Sequence, residues 1–276
     1  MYRKLMGCLP VIRELHLGGG TPTFFSPANL RRLVTAILAG STVHPDHAFS
    51  LEGHPNNTTR DHLEVLYELG FRRVSYGVQD LNPEVQQAIG RTQTFEKLKT
   101  ATEEARVVGY AAVNFDLIYG LPLQTPERLS ETIRKSVSLR PDRIAFYSYA
   151  HMPSINCSQR LIDTAQLPSA EKKLYLYQPG KVLLGEAGYT NIGMDHFALP
   201  HDELYVGWKH QRLHRNFMGY TTQNSGMLLG LGVSAISDTG TAYAQNEKKL
   251  GDYYRAIRED RLAITGAAKR RVGNHR

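Results

Sequence analysis

A chain of 276 residues with 41% hydrophobic content holds enough apolar material for one large core and a small appendage. No apolar run approaches the ~20 residues that span a bilayer, and no signal-peptide pattern opens the chain, so a cytoplasmic protein without a membrane partner is expected. The net charge of +7 is scattered. Its densest piece is the tail Lys269, Arg270, Arg271 and Arg276, read as a solvated end, and without a binding signature it gives no reason to expect nucleic acid as a partner. The two cysteines, Cys8 and Cys157, show no spacing pattern, which excludes a disulfide framework and fits a reducing compartment. Cys157 is expected as a partly buried structural thiol.

In chain order, short apolar runs alternate with helical patterns, as parallel β/α units do. Residues 12–17 read as a strand running into Gly18, Gly19 and Gly20. A helix follows, with Pro27 near its start and Leu30, Leu33, Ile37 and Leu38 on one face. Residues 48–51 form a short strand ending in Glu52, residues 61–69 a helix closed by Gly70, and residues 73–78 a strand ending at Gln79 and Asp80. A helix over 95–108 stops at Gly109, and a strand over 111–119 carries Asp116 before Gly120-Leu121-Pro122 breaks it. A helix over 126–139 leads to a strand over 143–149.

After Tyr149 the pattern changes. A helix over 170–184 carries an awkward Pro179-Gly180, and a strand is expected over 189–194. A stretch rich in His, Arg and aromatic residues runs to Tyr220, a Gly-rich apolar segment covers 228–237, and a terminal helix covers 248–259. There is no internal repeat.

Five strands thus end in polar or glycine-rich loops, and in parallel α/β architectures ligands sit at such ends. The residues placed there are Gly19, Gly20, Thr21, Glu52, Gln79, Asp116 and Ala150. The pattern alone permits a full barrel, an open barrel or a doubly wound sheet. Three consecutive glycines either make a tight turn or let backbone N–H groups approach a ligand. Glu52 either caps and pairs locally or accepts from a ligand. Asp195, His196, His214 and Arg215 together invite a metal reading, but their spacing fits no zinc pattern.

From residue 15 to residue 246 the chain resembles the oxygen-independent coproporphyrinogen III oxidases, which are radical S-adenosylmethionine (SAM) enzymes. The resemblance is carried by Gly18-Gly19-Gly20-Thr21-Pro22, Gly77-Val78-Gln79-Asp80, Gly90-Arg91-Thr92, Asn114-Phe115-Asp116-Leu117, Tyr149-Ala150-His151 and Ser234-Ala235-Ile236-Ser237. It is carried further by Gly193-Met194-Asp195-His196-Phe197-Ala198 and by the segment from Leu213 to Thr222, which differ from the haem-carrier relatives of the fold.

This resemblance implies an α/β fold, a partial (β/α)6 barrel missing its first β/α unit, with a short α/β extension. The expected parts are an unmatched segment 1–11, a truncated barrel over 12–150, an extension over 151–264 and an unmatched basic tail over 265–276. It implies SAM bound through Gly19, Gly20, Thr21, Glu52, Gln79, Arg91 and Asp116, with Ala150 and Ile236 as backbone or packing contacts. Arg91 would fork onto a carboxylate, and Gln79 and Asp116 would hold ribose hydroxyls. His214 and Arg215 are candidates to meet substrate propionates.

The family holds a 4Fe–4S cluster on C-x3-C-x2-C upstream of the glycines. Two cysteines 149 positions apart do not supply that motif, so the chain by itself is expected to be inactive and to expose its first strand as a sheet edge. The implied reaction is SAM-dependent oxidative decarboxylation of coproporphyrinogen III propionates to vinyls, in a protein that is typically monomeric. Two rivals stand beside it: a non-catalytic haem- or porphyrin-binding relative, and an enzyme whose cluster loop comes from another polypeptide.

Overall fold

The computed structural model describes residues 7–155, 157–216, 219–224 and 226–269. Its elements in chain order are β1 (Val11–Leu17), α1 (Pro27–Ala39), β2 (Thr42–Gly53), α2 (Arg60–Glu68), β3 (Phe71–Gln79), α3 (Pro83–Ala88), α4 (Phe95–Val108), β4 (Ala112–Tyr119), α5 (Pro126–Ser138) and β5 (Arg143–Ser148). There follow α6 (Ala170–Glu186), β6 (Thr190–Gly193), β7 (His196–Ala198), α7 (Glu203–Lys209), β8 (His214–Asn216), β9 (Gly219–Thr221), β10 (Ile236–Asp238), β11 (Ala242–Asn246), α8 (Leu250–Arg258) and β12 (Ile264–Lys269). Among the described residues no helix is long and apolar enough to cross a membrane. The chain divides into two compact units, one of Leu15–Ile37 and Ala48–Gln211, the other of Met1–Glu14, Leu38–His47 and Arg212–Arg276.

The larger unit is built on a curled sheet of order β1-β2-β3-β4-β5-β7-β6. The pairs β2–β3, β3–β4 and β4–β5 are parallel, as the alternation of strand and helix requires. Along most of β3 and β4 residues alternate in burial because side chains leave a strand on alternate faces. Phe49, Leu51, Val74, Tyr76, Val78, Val113, Phe115, Leu117, Ile144 and Phe146 are all essentially inaccessible to solvent. They form one core with Val34 of α1, Leu63 of α2, Leu98 of α4, Ile133 of α5 and Leu184 of α6, and burying each such side chain contributes about 1.5–3 kcal/mol. Helix starts follow local chemistry: Thr94, Thr125 and Ser169 accept from the backbone N–H groups of Lys97, Arg128 and Lys172. Gly109, at φ 109°, ends α4 in the left-handed conformation.

Several elements differ from the sequence expectation. The second strand is longer, covering Thr42–Gly53 rather than 48–51. The strand expected over 189–194 is β6 (Thr190–Gly193), and a second strand not expected, β7, follows it, pairing antiparallel with both β6 and β5. The turn between them places Met194 at φ 49°, so the chain reverses at the end of the expected strand. Pro179 does not interrupt α6. The turn that loses its N–H lies toward water, where Tyr175 is 74% exposed, and Gly180 lets the helix press onto Phe146. A Cβ on Gly180 would come within 2.7 Å of the Phe146 ring. The end expected as a basic tail contains β12, which pairs with β11, while Arg270, Arg271 and Arg276 lie outside the described residues. The side chain of Cys157 also lies outside them, and Cys8 is exposed.

In the smaller unit β8 and β9 form a hairpin and β10, β11 and β12 an antiparallel sheet. Asn246 holds that sheet to the glycine-rich loop, its Nδ2 donating to the carbonyls of Gly230 at 3.0 Å and Gly232 at 2.8 Å. Gly230 must be glycine, since a Cβ there would lie 2.6 Å from the Ile236 carbonyl oxygen.

Candidate functional site

The face of the parallel strands opposite the helices is polar. The register sets Glu52 beside Ser75 and Ser75 beside Asn114, and one pleat further along it sets Gly77 beside Asp116, Asp116 beside Ala145 and Ala145 beside His196. His16, two residues before the glycine run, donates or accepts at Ser50 Oγ (2.9 Å) and lies 3.3 Å from Glu52 Oε1. The backbone N–H of Gly19 donates to Glu52 Oε2 at 3.2 Å. His16 therefore holds the Glu52 carboxyl below its usual range, more strongly than burial raises it. A Cβ on Gly18 would lie 2.6 Å from the His16 ring and 2.9 Å from Glu52, so a larger residue there would displace this pair. Gly19 and Gly20 adopt φ 78° and 106°, conformations open to glycine, and no atom lies within 4 Å of a Cβ built on either.

Asp116 behaves differently from Glu52. Burial pushes its carboxyl up to about 6, and the neighbouring Glu52 charge adds to this, while a hydrogen bond from Ser75 Oγ at 3.2 Å works against it. Tyr147, on the next strand, is pushed up to about 12 by burial and then by the negative charges of Asp116, Asp195 and Glu52. Its ring meets His196 edge-on at 6.0 Å.

Gln79 closes β3 at φ 64°, a left-handed conformation uncommon outside glycine, and its Oε1 is buried without a hydrogen-bond partner. Arg91 reaches back from the loop after α3 to donate to the Gly77 carbonyl and, at 3.0 Å, to Gln93 Oε1. Its Nε is buried without a partner, burial lowers the pKa of its guanidinium, and among the described residues no carboxylate pairs with it. The Asn114 Oδ1 is likewise buried and unpartnered. Unsatisfied buried polar atoms are uncommon, and each calls for a reason.

The sequence-expected residues Gly19, Gly20, Thr21, Glu52, Gln79, Arg91, Asp116 and Ala150 all lie in the larger unit. Glu52 and Gln79 at the ends of β2 and β3 and Asp116 within β4 share the polar face, and the glycines join them through the Gly19–Glu52 bond. Thr21 leads into a single 3-10 turn (Pro22–Phe24), and Ala150 is exposed just past β5, its carbonyl accepting from Gln159 at 3.2 Å. Ile236, His214 and Arg215 belong to the smaller unit, Ile236 opening β10 and the other two exposed on β8. His16, Ser75, Asn114 and Tyr147 were not anticipated. Strand parity held part of the signal, since His16, Ser75 and Asn114 lie an even number of residues along their own strands from Gly18, Gln79 and Asp116, while no anticipated residue pointed to Tyr147.

Residues 6–135 match the family model of the radical SAM superfamily. The larger unit is thus a radical SAM domain. The chain is 46% identical over 248 residues to the oxygen-independent coproporphyrinogen III oxidase of Salmonella typhimurium, covering 90% of this chain and 54% of that protein. It is 44% identical over 256 residues to that of Pseudomonas aeruginosa, covering 92% of this chain and 56% of the other. A solved structure of coproporphyrinogen III oxidase from Escherichia coli, described as a radical SAM enzyme, superposes with a TM-score of 0.90 at 43% identity, covering 95% of this chain and 60% of that one. The chain is thus similar over nine-tenths of its length to oxygen-independent coproporphyrinogen III oxidases, and it spans about half the length of the curated relatives it matches.

The family implies SAM and a 4Fe–4S cluster. The strand-end residues fit the first group: a guanidinium without an anion, free amide and backbone groups, and two carboxylates at one open face. The thiolate set of the second is not supplied within these residues, which contain Cys8 and Cys157 alone, and among the described residues no three His, Cys, Asp or Glu side chains converge on a metal-sized point.

Proposed function

We propose that the strand-end set is a SAM cradle, and that the chain carries the barrel portion of an oxygen-independent coproporphyrinogen III oxidase. Arg91 is the observation that carries this reading. A guanidinium drawn partly out of water with no anion beside it is costly, and a ligand carboxylate removes that cost. SAM brings a carboxylate, an ammonium and two ribose hydroxyls, and the polar face offers a complement to each.

In this reading Arg91 forks onto the carboxylate, and Glu52, kept ionised by His16, accepts from the ammonium or a ribose hydroxyl. Gln79 and Asp116 accept from the ribose hydroxyls, residues 19–21 lay their backbone along the methionyl chain, and Ala150 offers backbone contact. Bound SAM supplies the hydrogen-abstracting group of this chemistry. The chain's own residues bind it, orient it and hold water away from it. The inferred substrate is a porphyrinogen whose propionates lose CO2 to leave vinyls, and His214, Arg215 and Ile236 keep the roles that the resemblance gives them.

Saturation-transfer NMR with SAM on the full chain reads affinities into the millimolar range and so tests the cradle without a cluster. Transfer to the adenosyl protons that is lost in Arg91→Ala and in Glu52→Ala is the expected result. No transfer, or transfer that both variants leave unchanged, overturns the reading.

A further inference from the structure

Beside the strand-end site lies a carboxylate to which none of the roles above refers. Asp80 follows Gln79 and is completely inaccessible to solvent. Its backbone N–H donates to the Val78 carbonyl at 2.8 Å, closing a three-residue γ-turn around Gln79 at φ 64°. Turns of this kind with a positive central φ are rare and strained, and they persist where the surroundings over-determine them.

The surroundings here are the Asp80 side chain. Its Oδ1 accepts from the Asn82 N–H at 2.7 Å and from Thr132 Oγ1 at 2.8 Å, and its Oδ2 accepts from Gln124 Nε2 at 2.6 Å. Three segments therefore converge on one carboxylate: the start of α3, the middle of α5 and the loop after β4. Gln124 is itself fixed, since its Oε1 accepts from the N–H groups of Gly120 at 2.7 Å and Leu121 at 3.0 Å. The Asp80 carbonyl accepts from Gln86 Nε2 at 2.9 Å. The same Gln86 amide donates to the Gln93 carbonyl at 2.8 Å, and Gln93 accepts from Arg91.

We propose that Asp80 is a positioning residue for the strand-end site, clamping the strained turn that aims Gln79 at the polar face and, through Gln86 and Gln93, steadying Arg91. For Gln79 and Arg91 to matter in this way the inference rests on the SAM-cradle reading, but the clamp itself is a property of the unliganded chain. Asp80→Asn is isosteric, yet it sets an amide NH2 against Gln124 Nε2. Gln124 cannot turn round without giving up its bonds to Gly120 and Leu121, so the bond is lost.

Two measurements on the full chain separate the clamp from the cradle. In hydrogen exchange without ligand, Asp80→Asn is expected to speed exchange at residues 79–81 about tenfold or more, while the Val113 amide, held by Asp142 at 2.7 Å, is unchanged. Thr132→Val, which removes one bond to the clamp, should act in the same direction, and it serves where Asp80→Asn fails to fold. In ligand-detected NMR, the loss of SAM affinity caused by Asp80→Asn should shrink when Gln79 is already alanine, to the share carried through Arg91, whereas a merely structural role predicts losses that add. Unchanged exchange at 79–81 in both variants overturns the clamp whether or not SAM binds. Additive affinity losses overturn its action through Gln79.

Discussion

The two faces of the parallel sheet are built from the same strands and obey opposite rules. On the helix side Val74, Tyr76, Val113, Phe115 and Ile144 are fully buried, the one hydroxyl among them donates to the Ala101 carbonyl, and burying each is stabilising. On the other side Glu52, Asp116, Gln79, Arg91 and Asn114 carry strained backbone, a raised carboxyl, an unpaired guanidinium and unsatisfied amide oxygens. One face holds the protein together. The other stores unfavourable states that a ligand can relieve, which is the arrangement expected where function and stability compete.

Substitutions should therefore move stability in opposite directions on the two faces. The largest effect is expected from Phe115→Ala on the helix side, a loss of about 3–5 kcal/mol by denaturant melting, since the cavity sits in a closed core. A loss under about 1 kcal/mol would mean that the core can collapse around the gap.

Asp116→Asn should do the reverse. The Asp116 carboxyl is raised from 3.8 to about 6 in the fold, so its contribution to stability is complete below 3.8 and is lost as pH rises through 6. The asparagine variant does not lose it. Its advantage over the parent should widen by about 1–2 kcal/mol between pH 5 and pH 8, read from paired melts. An advantage that is flat or shrinks over this range would show that Asp116 is not held in its neutral form.

The smallest effect belongs to Arg91→Met. Removing a desolvated cation that has no anionic partner should leave stability within about 1 kcal/mol of the parent or raise it slightly, because the retained methylene bulk still packs. A loss of several kcal/mol would show that its bonds to Gly77 and Gln93 matter more than its missing partner.

The alternation of apolar runs with helical stretches made the helix face legible in advance, because burial follows side-chain hydrophobicity directly. Boundaries blurred where shape depends on backbone angles: the turn at Met194 that divides β6 from β7, the short α3 capped by Asn82, and Pro179 carried inside α6. On the polar face, Glu52 and Gln79 were legible as strand ends, while Asp116, expected at one too, lies within β4. His16, Ser75 and Asn114 were not singled out, since a polar residue inside a short strand looks the same whether its side chain meets solvent or a ligand. The positive φ of Gln79 had no compositional trace at all, because glutamine is not a residue that announces it.

The one-sided core also bears on how the chain reaches its fold. Parallel neighbours such as β3 and β4 meet only after the crossover through α3 and α4, and such distant pairings are slow to nucleate. Since only the helix side offers apolar surface to drive collapse, the earliest ordered structure should be β3, α4 and β4 zipped through Val74, Leu98 and Phe115, giving these positions the high φ-values. The polar face would then organise after the rate-limiting step. Changes there would alter how fast the protein unfolds and leave the speed of its folding almost untouched.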